Sequence, residues 1–499
     1  MSLDRGAHVD IITDARLTGA DRLDPFGSDP VDVHLRGGRI VDIAPAGALP
    51  RTGRMLDAAG GYVLPGLWDH HVHTVQWALA AQRHDLGAAR SAREAAALMA
   101  SAPVLQDGRR IGAGFRDALW PDVMELELLD AATGGIPTYL INADVHSVWL
   151  NTAALQREGF PVDGSGVLRE EPAFEISRRL NAADPVVGDR LVAAALQAAA
   201  GRGVVGIVDF DMAWNAEAWA RRLDAGFDTT RVSFGVYPAL LHRAIAEGLA
   251  TGDALDPAGL VRMGPLKVIS DGSLGTRTAA CSHSYPGDPH NHGLLTVSPE
   301  ELRELLTTAT AAGMAAAVHA IGDLANTYAL DAFAATGAHG TIEHAQLVAH
   351  ADIARFARLG VGASVQPEHA VDDRDMTDAI WAGQTAVPYP LRALADAGAN
   401  LLFGSDAPVS PLDPWAAMAA AVWRTRDGRA AWRPEQALDA ATALAASTAG
   451  GSEAGSALAP GSVADLVVAD RDPLTADEGA LRGTRVSATL LQGRLTHVA

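Results

Sequence analysis

Lys267 is the only lysine in this chain of 499 residues, so arginine supplies every other permanently basic side chain. It lies in a short apolar stretch, residues 265–269, and a Gly-containing turn follows. In a strand its ammonium would be buried and its pKa lowered. A neutral lysine amine can form a Schiff base, act as a base or take up CO2 as a carbamate. The alternative is a structural lysine that reaches the strand end or pairs with Asp271.

Five further residues of metal-ligand type end apolar stretches in the same way. His71 and His73 are two residues apart, and on a strand such residues point to the same face, so both imidazoles can hold one zinc-like ion. His319, His344 and Asp406 each close a short apolar run. A single histidine in such a place is more often a buried structural residue. Five of them, together with the lone lysine, indicate one shared site.

These side chains have to be brought together by the elements that carry them. Apolar, strand-like segments alternate with Ala-rich helical stretches, which is the pattern of a parallel α/β sheet. Eight such strands are predicted, and their last residues are His73, Asn142, Asp209, Asp271, His319, His344, Gln366 and Asp406. Eight units favour a (β/α)8 TIM barrel with insertions, in which the carboxyl ends of all strands meet at one mouth.

The two ends of the chain have a different hydrophobic pattern. Residues 1–60 and 456–499 contain short segments in which apolar residues alternate with polar ones, and this pattern predicts strands. Each terminal part is too small to bury a core alone, so we expect the two to pair in one small β-sandwich. The barrel is then assigned to residues 61–455. Its first two predicted strands are too far apart for one crossover, which predicts an insertion at about residues 75–135. A second long connection spans about residues 150–200.

Composition excludes several kinds of partner. Asp and Glu number 60 against 39 Lys and Arg, and the formal net charge of −21 argues against nucleic acid and anionic membranes. Cys281 is the single cysteine, so an intrachain disulfide is excluded. No apolar run is long enough to span a membrane, and the first residues lack a signal-peptide pattern. We therefore expect a cytoplasmic protein that acts on a small molecule, with a homodimer as one possible assembly.

Residues 65–73, PGLWDHHVH, resemble the first-strand motif of the amidohydrolase superfamily. Further motifs are similar to the amidohydrolase family 3 branch, which includes N-substituted formamide deformylases. They are residues 144–151, 267–278, 319–323, 342–346 and 364–367. The resemblance covers nearly the whole chain, both terminal parts included. Within the first motif, Asp69 and His70 are expected to be structural.

The resemblance implies a metal-dependent hydrolase that acts on carbon–nitrogen bonds other than peptide bonds. It also implies six metal ligands: His71, His73 and Asp406 on one ion, His319 and His344 on a second, and Lys267 as a carbamate that bridges the two. This set of ligands suits two Zn²⁺ ions, with Fe²⁺ or Mn²⁺ as the alternatives.

The implied reaction is attack of a metal-bound hydroxide on an amide-type carbonyl of a small organic substrate. Asp406 would take the proton of the water and deliver it to the leaving amine. His146 is the candidate donor to the oxyanion, or else a substrate contact. Trp120, Arg277 and Gln366 are candidate substrate-binding residues, although Arg277 is equally suited to be a structural partner of Asp271.

Trp120 belongs to a group of aromatic residues in or beside the predicted insertions, with Trp77, Phe115 and Trp149. Together they predict a pocket for an apolar acyl group or N-substituent, although Trp is common in protein cores.

Three other functions stay open at this point. They are a decarboxylase or isomerase on the same fold, a Schiff-base lysine enzyme and a non-catalytic binding protein. A Schiff base would leave the five other ligand-type residues without a role, and a binding protein would be expected to have lost some of them. Hydrolysis is therefore the favoured function.

Overall fold

The computed structural model describes residues 4–18, 29–80, 82–162, 164–181, 185–455 and 458–499. In chain order its strands are β1 (Ile11–Leu17), β2 (Val31–Arg36), β3 (Arg39–Pro45), β4 (Met55–Asp57), β5 (Tyr62–Pro65), β6 (Leu67–Val72), β7 (His84–Asp85), β8 (Arg110–Phe115), β9 (Thr138–Asn142), β10 (Ser147–Leu150), β11 (Val167–Arg169), β12 (Val204–Asp209), β13 (Arg231–Val236), β14 (Val261–Ile269), β15 (Ala316–Ala320), β16 (Gly340–His344), β17 (Leu347–Val348), β18 (Val361–Val365), β19 (Val387–Pro388), β20 (Leu401–Phe403), β21 (Leu466–Ala469), β22 (Val486–Leu491) and β23 (Arg494–Val498).

The α-helices of the same ranges are α1 (Thr74–Ala80), α2 (Ala92–Ser101), α3 (Leu126–Thr133), α4 (Thr152–Glu158), α5 (Glu171–Asn181), α6 (Pro185–Ala200), α7 (Asn215–Asp224), α8 (Pro238–Ala246), α9 (Pro299–Ala311), α10 (Asp323–Thr336), α11 (His350–Leu359), α12 (Pro367–Asp372), α13 (Arg374–Ile380), α14 (Leu391–Asp396), α15 (Pro414–Trp423), α16 (Ala440–Ala446), α17 (Gly451–Ala454) and α18 (Glu478–Arg482). None of the helices in these ranges is long and apolar enough to cross a membrane.

Eight parallel strands form the barrel, in the order β6, β12, β13, β14, β15, β16, β18, β20. The first and last strands meet, because the backbone N–H of Asp406 donates to the carbonyl of His71 (2.7 Å) and that of His73 donates to the carbonyl of Ala407 (2.9 Å). Strands covered on both faces have to be apolar throughout, and β15 and β18 are buried at every residue. The predicted fold class is confirmed.

The outer helices follow from local sequence signals, as α9 shows. The side chain of Ser298 accepts a hydrogen bond from the backbone N–H of Glu301, and a proline occupies the first turn. Leu302, Leu306 and Ala309 recur at helical spacing and are the buried residues of this helix. One face of α9 therefore packs on the core shared with the barrel strands.

One of the eight predicted barrel strands is wrong. The segment that ends at Asn142 is β9, which pairs with β8 and β10 outside the barrel. Its place in the barrel is taken by β13, which ends at Val236 without a polar ligand and so gave no signal. Because β9 is buried at every residue, its sequence has the pattern of a barrel strand. The other seven strand ends agree with the structure to within three residues.

The segment between β6 and β12 contains a separate five-stranded sheet, in the order β11, β10, β9, β8, β7. We call it the inserted sheet. The predicted insertion at about residues 75–135 covers only its first part, because the chain continues through β9 to β11 before it returns to the barrel at β12. The core of the inserted sheet contains Phe115, Leu140 and Trp149, each fully buried.

Strands from both ends of the chain share another sheet, in the order β23, β22, β21, β5, β1, β2, β3, with β4 paired to β1. β1 pairs with β2 along most of its length and with β5 at its end, so it belongs to both halves of this sheet. Ile12, Val33, Val63 and Leu490 meet in one buried core. The predicted pairing of the two termini is confirmed, and the domain limits stay a prediction.

Candidate metal centre

All six predicted metal ligands line one cavity at the mouth of the barrel, and we call them the ligand cluster. They come from the carboxyl ends of β6, β14, β15 and β16 and from the residues after β20. None is more than 8% exposed. The ligand cluster consists of His71, His73, Lys267, His319, His344 and Asp406.

Asp406 lies at the centre of this cluster. Its Oδ1 is 3.3 Å from Nε2 of His73 and 3.5 Å from Nε2 of His71. One ligand atom from each of His71, His344 and Asp406 lies within 4.8 Å of the others, a spacing that one divalent ion can span. The ring of His319 adjoins that of His344, with 4.7 Å between the ring centroids.

The backbone is distorted where two of these residues lie. His344 has a φ of +75° and Asp406 a φ of +56°, which is the left-handed region. Such a conformation costs a residue other than glycine about 1–3 kcal/mol and is found mainly at functional sites. At the end of β16 it turns His344 towards the cluster that Glu343 also faces, although successive strand residues normally point to opposite sides.

Three histidines of the cluster have an acceptor beside Nδ1. An acceptor there places the proton on Nδ1, so that Nε2 keeps its lone pair for a metal ion. Hydrogen bonds of this kind join His71 to Glu343 Oε2 at 2.7 Å and His344 to Gln366 Oε1 at 2.9 Å. Asp271 Oδ1 lies 3.1 Å from Nδ1 of His319 but outside hydrogen-bond geometry.

Burial keeps these imidazoles neutral. Burial and the charge of Lys267 lower the pKa of His71 well below its usual value, and burial also lowers that of His344. The pKa of His319 is lowered by burial although Asp271 acts in the opposite direction. In the described part of the chain, neither ring nitrogen of His319 has a hydrogen-bond partner, which leaves this imidazole available to a metal ion. This donor set therefore fits a divalent transition ion.

Lys267 has no counter-ion beside it. Its Nζ lies 3.2 Å from Nε2 of His71 and 4.3 Å from the centre of the Phe210 ring, and no carboxylate oxygen of the described residues is within 4.0 Å. Burial lowers the pKa of Lys267 to about 8, although the charges of Glu343 and Asp406 oppose this. An amine with this pKa is partly neutral near neutral pH and can react with CO2.

His146 reaches the same cavity from the inserted sheet. Its Nδ1 lies 2.8 Å from Glu170 Oε2, and its ring is 5.7 Å from that of His319. Burial lowers the pKa of His146, but the charge and hydrogen bond of Glu170 outweigh this, and Asp144 and Asp271 add to them, so the pKa rises to about 9. At neutral pH His146 is therefore a charged hydrogen-bond donor on the cavity wall.

The predicted substrate-binding residues lie away from the cavity. Gln366 lies behind His344 and accepts from its Nδ1. Trp120 packs on Phe115, with ring centroids 5.4 Å apart, at the core of the inserted sheet. Trp149 is fully buried in the same core, and Trp77 packs against the barrel core. Since none of these side chains lines the cavity, the structure does not support the predicted aromatic pocket.

Arg277 also lies outside the cavity lining, in a turn where its φ is +57°. The carboxylate suggested as its partner, Asp271, instead accepts hydrogen bonds from the backbone N–H groups of Ala280, Ile321 and Gly322. These bonds hold the turn after β14 against the turn after β15. Asp271 is therefore a structural residue that also faces His319.

The rest of the cavity wall mixes apolar residues, such as Phe174, Leu274 and Ile321, with polar and charged ones, such as Asp144 and Gln346. The cavity volume is about 70 Å³, which leaves room only for a small group beside the ligand cluster. The cavity continues into a larger cleft between the inserted sheet and the barrel mouth, with which it shares Arg116 and Met376. We call this cleft the entrance groove.

Sequence reasoning missed the two carboxylates that hold histidines in place, Glu343 and Glu170. Glu343 directly precedes the predicted ligand His344. Glu170 follows β11, within the long connection predicted at about residues 150–200. A carboxylate inside an apolar run is costly unless it is paired, and that signal could have identified Glu343. The two residues that the sequence marked as structural behave so: Asp69 accepts from the backbone of His71 and His70 bonds to the backbone of Thr448.

Comparisons with known proteins agree with this geometry. Residues 54–497 match the model of the amidohydrolase family. The chain is 27% identical to the protein LONG AFTER FAR-RED 3 of Arabidopsis thaliana, over 92% of this chain and 86% of that protein. It is also 27% identical to an N-substituted formamide deformylase of Arthrobacter pascens, over 93% and 94% of the two chains.

A solved structure shares the fold over almost the whole chain. It is an uncharacterised metal-dependent hydrolase of Pyrococcus horikoshii, with a TM-score of 0.76 and 25% identity, and the match covers 94% of this chain and 99% of that one. These findings confirm the predicted class of enzyme, a metal-dependent hydrolase of carbon–nitrogen bonds other than peptide bonds. The chain belongs to the amidohydrolase family.

Proposed function

We propose that this protein hydrolyses a small N-substituted amide, with two divalent ions held by the ligand cluster. The observation that carries the proposal is the position of Lys267, buried 3.2 Å from Nε2 of His71 and without a carboxylate partner among the residues that the structure describes. An ammonium there would add a positive charge among metal ligands, at a cost in desolvation. A carbamate would instead add a negative group with two oxygen ligands.

We divide the ligands into two adjoining groups as the resemblance implies, although a ligand atom of His344 also lies within 4.8 Å of those of His71 and Asp406. His71, His73 and Asp406 would hold the first ion, because Asp406 Oδ1 lies within 3.5 Å of both imidazole nitrogens. His319 and His344 would hold the second. The carbamate of Lys267 would contact both ions. Zn²⁺ is the ion we propose for this set of nitrogen and oxygen ligands.

The protein's own side chains would move the protons. Divalent ions in this position would polarise the scissile carbonyl and make a water molecule more acidic. Asp406 would accept the proton of that water and pass it to the leaving nitrogen. His146 would donate to the carbonyl oxygen as it gains negative charge, and Glu170, 2.8 Å away, would keep its imidazole protonated and oriented.

The shape of the site favours a small acyl group. The cavity beside the ligand cluster is small, while the entrance groove can accept a longer substituent on the nitrogen. The relative from Arthrobacter pascens is an N-substituted formamide deformylase, and a formyl group would fit such a cavity. N-substituted formamides are therefore the substrates to test first.

Metal analysis with a substrate screen tests this proposal. The protein is purified without chelator and with ¹³C-bicarbonate, and metal content per chain, a ¹³C carbamate resonance and release of amine from formamides and acetamides are measured. We expect about two ions per chain, a carbamate signal that is lost in Lys267→Arg, and faster turnover of formamides. Absence of metal after reconstitution, or of any amide hydrolysis, would refute the proposal. Cytoplasmic location and a homodimer stay predictions.

A further inference from the structure

Arg83 is a cation in the wall of the entrance groove that has no counter-ion beside it. It lies between α1 and β7. Within the described residues its side chain donates one hydrogen bond, from Nη2 to the amide oxygen of Asn181 (2.5 Å), and no carboxylate oxygen of those residues is within 4.0 Å of it. The guanidinium is therefore oriented by an uncharged partner, and its charge is left without an anion.

Two further nitrogens of this guanidinium are open to a ligand. Nε and Nη1 of Arg83 make no hydrogen bond to the described residues, and neither is among the buried polar atoms of those residues that lack a partner. Both nitrogens therefore keep accessible surface. Since Arg83 lines the groove, they are the donors that a molecule in the groove can reach.

The surroundings make this charge costly. Arg83 is partly buried, and burial lowers its pKa to about 10, against the opposing charge of Asp211. The guanidinium is thus still charged at neutral pH. A partly desolvated charge without a counter-ion is unfavourable. An anion in the groove would therefore interact more strongly with Arg83 than with a fully exposed arginine.

Several other charges along the groove are already compensated by ion pairs. Arg116 lies 3.5 Å from Asp372, which also accepts a hydrogen bond from Arg426. Asp375 lies 2.7 Å from Arg429. A substrate anion could bind to these arginines only by competing with a carboxylate of the protein, whereas Arg83 requires no such exchange.

The exposed charges of the groove are Arg90, Asp85 and Asp427. Asp85 is occupied in part, because its Oδ1 accepts a hydrogen bond from the backbone N–H of Gly87 (2.8 Å). Water and salt screen charges at such positions, so each contributes little to the binding of an ion. Arg83 is therefore the residue that decides which sign of charge this wall prefers.

The position of Arg83 also sets how far from the scissile bond an anion would lie. α1 begins directly after His73, and Arg83 follows its last residue by three positions. A helix of seven residues is about 10 Å long. Arg83 thus lies roughly one helix length from the ligand cluster, so it would meet the far end of a long N-substituent.

We propose that Arg83 binds a carboxylate at the far end of the N-substituent, so that the enzyme prefers formamides of long ω-amino acids. The proposal rests on the proposed amide hydrolysis, which it deepens by one substrate feature. The carboxylate would replace water at a guanidinium that Asn181 already orients. Charge-assisted hydrogen bonds of this kind are stronger than those to an uncharged amide, which gives the preference its physical basis.

A matched pair of substrates tests the proposal: N-formyl-6-aminohexanoate and N-formyl-6-aminohexanamide, which differ in a terminal carboxylate or carboxamide of nearly equal shape. We expect wild-type kcat/KM to favour the carboxylate by at least about tenfold. In Arg83→Gln the two values should become similar through a loss for the carboxylate, and metal content should stay near wild type. Arg83→Lys, which keeps the charge, should retain part of the preference.

Two controls separate binding at Arg83 from a general effect of charge. Arg90→Gln removes the same charge from an exposed position of the groove and should keep most of the preference. N-formylglycine carries its carboxylate next to the scissile bond, too far from Arg83 to reach it, and should not be favoured over N-formylglycinamide.

Equal kcat/KM for the hexanoate and the hexanamide in wild type would overturn the proposal, as would a preference that persists in Arg83→Gln or is lost to the same extent in Arg90→Gln. If neither compound is hydrolysed, the proposed amide hydrolysis fails separately. Calorimetry then compares their dissociation constants on the protein as purified and on Arg83→Gln. Tighter binding of the hexanoate that depends on Arg83 would support its role, and equal affinities or no binding would refute it.

Discussion

Oε2 of Glu343 lies 2.7 Å from Nδ1 of His71, and both side chains are 1% exposed. Glu343 is itself held by a hydrogen bond from the hydroxyl of Thr341. A carboxylate in this position fixes the orientation and the tautomer of the imidazole, and it makes Nε2 a better ligand. Glu343 is therefore a positioning residue for the ligand cluster.

Replacing this carboxylate should weaken metal binding without unfolding the protein. In Glu343→Gln the shape is kept but the charge is lost, and we expect metal affinity to fall about 10–100-fold. Competition with a chelator of known affinity measures this, and thermal unfolding of the metal-free protein checks the fold. Glu304→Gln, at an exposed position of α9, is the control. Equal metal affinity in wild type and Glu343→Gln would contradict a positioning role.

Replacing the buried lysine should have opposite effects on stability and on activity. Lys267→Met removes a buried charge beside which no carboxylate of the described residues lies, so the metal-free protein should be unchanged or up to about 2 kcal/mol more stable. The same variant should bind less metal and lose most amide hydrolysis, because no carbamate can form. Urea unfolding in the presence of chelator and elemental analysis measure the two effects.

Lys267→Arg is the matched control for that experiment. It keeps a positive charge at the site but cannot be carbamylated, so it should lose activity without any gain in stability. Full activity in either variant would show that the lysine is not a metal ligand.

The ligand cluster could be predicted because its residues lie at or near the ends of apolar runs, and a barrel brings such ends together. The residues around the cluster could not be predicted, because their positions depend on contacts between distant segments of the chain. His146 is oriented by Glu170, which follows a strand of the inserted sheet 24 residues further along the chain. Trp120 was expected at the cavity because of its aromatic side chain, whereas its neighbour in space is Phe115.

The barrel strands show the same division between what the sequence reveals and what it does not. A strand that ends in a ligand, such as β15, was recognised from that ligand. β13 ends at Val236 and carries no ligand, so only its pairing with β12 and β14 identifies it as a barrel strand. β9 of the inserted sheet is equally apolar, so hydrophobic periodicity alone cannot distinguish it from a barrel strand such as β13.

An ion pair in the sheet of the two termini should make stability depend on pH. Burial raises the pKa of Asp32, but hydrogen bonds from Arg51 and from the backbone of Gly47 and Asp14 outweigh it and lower the pKa to about 2. The folded protein thus holds this proton more weakly than the unfolded chain. The stabilisation is complete above the ordinary carboxyl pKa of 3.8 and is lost as the pH falls through that value towards 2.

Asp32→Asn measures that contribution. At pH 7 we expect a loss of about 1–2 kcal/mol, an estimate that allows for the partial exposure of Arg51. The difference between wild type and Asp32→Asn in urea midpoint should shrink from pH 5 to pH 3. Asp42→Asn, at an exposed position of the neighbouring strand β3, should show neither effect. A difference that stays constant over this range would refute the assigned ion pair.

The choice of acyl group should depend on Phe174. Its ring meets that of His146 edge-on, at 5.1 Å between centroids, and it lines the cavity. Because His146 would donate to the carbonyl oxygen, Phe174 borders the acyl side of the site. Phe174→Ala should therefore raise kcat/KM for butyramides relative to formamides of the same amine. Trp120→Ala is the comparison, since Trp120 lies outside the cavity lining.

Both substitutions remove a packed aromatic ring and should cost about 2–4 kcal/mol of stability, but only Phe174→Ala should change the selectivity. The measurement is kcat/KM for formamide, acetamide and butyramide derivatives of one amine, at a temperature where both variants are folded by circular dichroism. If Trp120→Ala also changed the ratio, the aromatic pocket predicted from the sequence would be reinstated. A ratio unchanged in Phe174→Ala would place the acyl group on another wall of the cavity.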